Sequence, residues 1–86
     1  MDRETVIGSP AQLAAVLRGR RNACRLTQAA AGANVGLLPK TISAMESDPG
    51  SASVTSLFKL LSALELELVL QPKPNGISQG PSGPAW

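Results

Sequence analysis

Apolar residues recur along this chain at helical spacing, until one late segment where the period drops to two. Ser9-Pro10-Ala11-Gln12 reads as a helix start: Ser9 can cap, Pro10 suits the first helical position, and Gln12 completes a capping box. Leu13, Val16, Leu17 and Cys24 then fall close to one face, with Cys24 read as a small core residue. A second start follows at Thr27-Gln28, with Leu26 as its hydrophobic staple, and the helix reaches about Ala33. Asn34-Val35-Gly36 supplies a turn, because Asn and Gly tolerate positive φ. A third helix starts near Leu38-Pro39 and runs through Glu46, with Ile42 and Met45 inward, until Asp48-Pro49-Gly50 breaks it. Ser53 caps a fourth helix from Val54 to Leu64, whose stripe is Val54, Leu57, Leu61 and Leu64.

From Glu65 to Gln71 polar and apolar residues alternate, as in a half-buried strand. The competing reading is a final turn that extends the fourth helix. A lone strand is not stable in water, so the pattern predicts pairing with the same strand of a second chain about a two-fold axis. Leu66, Leu68, Val69 and Leu70 form that expected dimer interface. Leu66, Leu68 and Leu70 cover the fourth helix, with Glu65, Glu67 and Val69 on the outer side. Residues 71–86 carry four Pro and three Gly, too little apolar surface to offset chain entropy, and predict disorder. The expected fold is an all-α helix-turn-helix domain of four to five helices with one C-terminal β-strand paired across a homodimer. The domain spans residues 1–71, with the strand at about 65–71, and a flexible tail covers 72–86.

Composition narrows the chemistry. Eighty-six residues make one small domain, and a single Phe, a single Trp and no Tyr leave an aliphatic core. There is no His, and the single Cys24 can form neither an internal disulfide nor a thiolate zinc cluster. No nucleophile–base pair, metal cluster or phosphate loop is visible, so neither an enzyme, a metal site nor a cofactor is expected. Met1-Asp2-Arg3-Glu4 lacks a signal-peptide pattern, and no apolar run approaches ~18 residues, which predicts a cytoplasmic protein. The net charge is only +2, but its distribution is uneven. No Asp or Glu lies between Thr5 and Met45, whereas Arg18, Arg20, Arg21, Arg25 and Lys40 do, which suggests a surface aimed at phosphates. A solvated basic helix end is the plainer reading.

Two short helices joined by a Gly-containing turn are helix-turn-helix geometry, in which the second helix enters the major groove of DNA. With Ile42 and Met45 inward, the opposite face of that helix presents Lys40, Ser43, Ala44 and Ser47, a single small polar stripe. Small residues allow close backbone approach, and Lys40 can donate to guanine or phosphate. The N–H groups opening the second helix, with Gln28, suit a phosphate oxygen. An ordinary helical hairpin with a solvated face fits the same spacing.

Thr27-Gln28, Gly36, Thr41-Ile42-Ser43 and Glu46 resemble the phage-repressor-like (Xre-type) helix-turn-helix family. Ser9-Pro10, Gln12-Leu13-Ala14, Leu64-Glu65-Leu66, the following strand and the terminal Trp86 are similar to the HipB-like antitoxins of HipA–HipB modules. The resemblance covers about residues 7–71 and the last residue. It implies a homodimer that binds palindromic operator DNA, represses its own operon and neutralises a HipA-like serine/threonine-kinase toxin. Carried over by position, the DNA-binding set is Thr27, Gln28, Leu38, Pro39, Lys40, Thr41, Ser43, Ala44 and Ser47. Arg21 and Glu46 occupy the positions of a structural ion pair.

The chain departs from that pattern at Leu38 and Pro39, which replace polar residues and can meet DNA only apolarly, so a different operator is expected. Helix 2 departs too, reading Ala29-Ala30-Ala31-Gly32. Trp86, on a tethered tail, is a candidate anchor for the toxin, with an inert terminal residue as the alternative. A stand-alone Xre-type repressor with no toxin partner is the second functional reading, and a pure protein-interaction module the third.

Overall fold

A computed structural model describes residues 5–73. Residues 74–86 of the expected tail, and with them the Trp86 anchor, therefore lie outside the described residues. Four helices follow one another: α1 (Pro10–Ala23), α2 (Gln28–Ala33), α3 (Pro39–Ser47) and α4 (Val54–Ala63). Asp48-Pro49-Gly50 ends α3 as its sequence predicts, and a 3₁₀ turn over Pro49–Ser51 fills the link to α4.

Three of the four helices open where the sequence carries a capping side chain. Ser9 Oγ accepts from Gln12 N at 3.2 Å, Thr27 Oγ1 from Ala30 N at 3.0 Å, and Ser53 Oγ from Ser56 N at 3.0 Å. The capping box at α1 is displaced by one residue, because Gln12 Oε1 accepts from Gly8 N at 2.6 Å rather than from Ser9 N. Leu38 caps α3 without a side-chain bond, and Pro39 at the first position supplies the fixed φ instead.

Three of the helix ends share one device. Leu26 N donates to Arg21 O, Leu37 N to Gly32 O, and Leu66 N to Leu61 O, at 3.1, 3.1 and 2.9 Å. These are Schellman-type closures, each with the preceding residue in the left-handed region. That residue is Gly36 at φ 74°, but Arg25 at φ 60° and Glu65 at φ 58° in the other two. A side chain in this region costs about 1–2 kcal/mol. Each closure then delivers a leucine (Leu26, Leu37 or Leu66) onto the core.

That core comprises Leu17, Ala31, Ile42, Met45, Leu60, Leu61 and Leu64, with Leu13, Leu26, Leu37, Ala52, Leu57 and Leu66 packed against it. Cys24 is half-buried at the end of α1 and is not among these residues. The stripe expected on α4 is shifted. Val54 is 68% exposed, whereas Leu60, not foreseen, is fully buried. Val54 stands in the first helical turn, beyond the edge of the core, and Leu60 lies between Leu57 and Leu64 on the buried face.

Gly32 makes the contact between α2 and α3 possible. A Cβ there would stand 2.2 Å from Leu37 O and 3.0 Å from Ile42 Cδ1. At Gly36 a Cβ would meet nothing within 4 Å, so glycine is required there by φ alone.

The strand expected at 65–71 does not form within one chain; no strand occurs among the described residues. A strand needs a neighbour for its N–H and C=O groups, and none of the helices offers one. The alternative of a longer α4 also fails, since the left-handed Glu65 ends the helix.

Candidate nucleic-acid interface

The chain places α3 against α1 and α2 with its buried residues Ile42, Met45 and Glu46 turned inward. Lys40, Ser43, Ala44 and Ser47 are all exposed on the opposite side, as the spacing requires. Leu38 is 62% exposed and Pro39 is exposed as well, so both extend this surface at the start of the helix. Thr41 is half-buried at its margin. Ser47 turns its hydroxyl back on its own helix, donating to Ser43 O at 2.9 Å.

What holds α3 in place is a polar network around one buried carboxylate. Glu46 is 4% exposed. Arg21 of α1 donates to it twice, Nε to Oε2 at 2.5 Å and Nη2 to Oε1 at 3.0 Å. Gln28 of α2 adds Nε2 to Oε1 at 3.3 Å. Burial alone would push the Glu46 carboxyl up, but hydrogen bonds from Arg21 and Gln28 and the charges of Arg21 and Arg18 hold it below the usual carboxylate range. Donation to Glu46 raises the Arg21 guanidinium, against the opposing effect of burial. One carboxylate thus ties together the three helices that make the surface. The ion pair expected between Arg21 and Glu46 is present.

The same network redraws the basic patch. Arg18 donates to Glu46 O at 2.9 Å and Arg20 to Leu64 O at 2.9 Å, capping the ends of α3 and α4. Arg21 also holds Leu26 O at 2.8 Å. The arginine cluster of α1, read from sequence as aimed at phosphates, therefore serves internal acceptors. Nothing local in the sequence announces this, because the acceptors lie 28 and 44 residues away.

Thr27 is exposed and its hydroxyl oxygen is used as the cap of α2. Gln28 is half-buried and gives its amide N–H to Glu46. Structure thus brings Gln28 into the packing of α3 and leaves the stripe from Leu38 to Ser47 to solvent. Among the expected dimer residues, Leu66 packs on the core, while Leu68, Val69 and Leu70 are 52, 62 and 87% exposed. No helix of the described residues is long and apolar enough to cross a membrane.

The family described as "Helix-turn-helix" (HTH_3) matches residues 17–71. Antitoxin HipB of Escherichia coli O6:H1 is 38% identical over 64 residues, covering 74% of this chain and 68% of that protein. Antitoxin HipB of Escherichia coli K12 is 36% identical over 64 residues, covering 74% of this chain and 73% of that protein. Among solved structures, a chain of the HipA-HipB-O2-O3 complex superposes with a TM-score of 0.76 at 34% identity, covering 79% of this chain and 96% of that one. The HipB-O4 20mer complex gives a TM-score of 0.75 at 34% identity, with the same coverage.

Proposed function

This chain belongs to the HTH_3 helix-turn-helix family, among the HipB antitoxins, and on that premise we propose that it is a DNA-binding transcriptional autorepressor and antitoxin. It binds palindromic operator DNA as a homodimer and neutralises a HipA-like serine/threonine-kinase toxin. It acts in the cytoplasm and by binding rather than catalysis. The observation that carries this reading is the exposed stripe Lys40, Ser43, Ala44 and Ser47 on a helix anchored from behind by Glu46. A helix so anchored presents its outer face with little freedom, which direct reading of base edges requires. Lys40 supplies the donor, small side chains admit the backbone, and Leu38 and Pro39 meet thymine methyls. Thr27, Gln28 and Thr41 flank the groove contact.

Residues 65–71 complete the fold as a strand paired with its copy in the second chain. Support comes from the apolar side chains that one chain leaves in water, among them Val54, Phe58, Leu68, Val69 and Leu70. Residues 72–86 then form the tether that carries Trp86 to the toxin.

Affinity purification of the tagged chain from its host tests the antitoxin half. A kinase-fold protein recovered in stoichiometric amount supports it. Recovery of the homodimer alone, with the kinase expressed, reduces the protein to a stand-alone repressor.

A further inference from the structure

Arg25 stands apart from the other arginines of the described residues. Arg18, Arg20 and Arg21 each donate to an internal carbonyl or carboxylate. Arg25 is exposed, and among the described residues no acceptor holds its guanidinium. It adopts φ 60°, where the equivalent position of the next turn carries Gly36. Glycine would relieve that strain, yet the chain carries its longest cation there. Strain alone does not identify a ligand, since Glu65 shares it with the opposite charge. Position and charge do.

Arg25 is rooted in the link between α1 and α2, where the helix-turn-helix unit begins. The carbonyl of its neighbour Leu26 is held by Arg21, the residue that also holds Glu46 of α3. Its root therefore moves with the surface proposed to read DNA. No Asp or Glu lies between Thr5 and Met45, and the carboxylate packed at this junction is already taken by Arg21 and Gln28. The guanidinium is left for an anion from outside, and its planar donor fork matches a phosphate.

We infer that Arg25 binds a backbone phosphate of the DNA, beside the groove that α3 enters. This inference rests on the DNA-binding reading above. A phosphate contact carries no base information, so it strengthens binding to any duplex and fixes the register of α3.

The test is the salt dependence of binding to two labelled duplexes, one carrying the DNA upstream of this gene and one of random sequence. Arg25→Gly suits the local backbone and keeps the fold. For each bound chain it should lower the slope of log K against log salt by about 0.9 on both duplexes, about eight-fold in affinity at 0.1 M relative to 1 M. Arg25→Lys, which keeps the charge, should retain the wild-type slope. A wild-type slope for Arg25→Gly on DNA that both proteins bind overturns the inference alone. Failure of the wild-type chain to bind either duplex overturns the DNA-binding reading together with it.

Discussion

Arg21 of α1 holds Glu46 of α3 through two N–H···O bonds, and both side chains are largely buried, at 13% and 4% exposure. A bidentate, desolvated pair of this kind matters most when one member is removed, because the other is left buried and unmatched. Glu46→Gln should therefore destabilise the fold by about 2–3 kcal/mol, read by urea or thermal unfolding. A change below about 0.5 kcal/mol would mean that α3 is held by its apolar contacts alone.

Acid should unfold the protein through the same group. The Glu46 carboxyl sits below its ordinary value of 4.5 in the folded chain. Its contribution is complete above the unfolded value and is lost as pH falls through the lowered folded one. Stability should hold from neutrality to about pH 5 and decline below that. In Glu46→Gln that decline should be shallower, and an identical acid profile in both proteins would remove Glu46 from the explanation.

Gly32 should tolerate no side chain. The atom facing its missing Cβ is the backbone carbonyl of Leu37, whose N–H in turn bonds to Gly32 O at 3.1 Å. Neither partner can retreat without opening the turn between α2 and α3. Gly32→Ala should cost about 1–3 kcal/mol or more, although alanine is the better helix former. Equal melting temperatures for Gly32→Ala and wild type would contradict the close approach.

Glu65 should behave in the opposite sense. At φ 58° it carries a penalty that glycine avoids, and its side chain is exposed. Glu65→Gly should raise stability by about 0.5–1 kcal/mol, a few degrees in melting temperature for a chain of this size.

Much of this fold was legible because its signals are local. Ser9, Thr27 and Ser53 each cap a donor three residues ahead, and Gly36 marks a positive φ by its own identity. The exposed stripe of α3 followed from the inward pair Ile42 and Met45. Long-range choices were not legible. Arg18, Arg20 and Arg21 look like a phosphate-binding cluster until their distant acceptors are known, and the exposure of Val54 depends on where the rest of the core ends, although Leu60 keeps helical spacing with Leu57 and Leu64. The segment after Glu65 has a strand's alternation but no partner within one chain, so its sequence pattern and its single-chain conformation differ. Arg25 and Glu65 escaped notice because neither residue type announces a left-handed turn.

Leu70 offers a clean test of self-association, since it is 87% exposed in one chain and supports nothing there. Leu70→Lys should leave helix content unchanged while lowering the mass in solution from dimer toward monomer, as light scattering after size exclusion would report. A dimer of undiminished stability would exclude the paired strand as its interface.

Operator recognition through α3 is tested most directly by fluorescence anisotropy of a duplex carrying the DNA upstream of this gene. Wild-type chain should bind it in preference to a random duplex, and Lys40→Ala should lose about 1–3 kcal/mol of that binding with its fold intact. Equal binding by Lys40→Ala and wild type, or no preference for the upstream duplex, would contradict the assignment of α3 as the recognition helix.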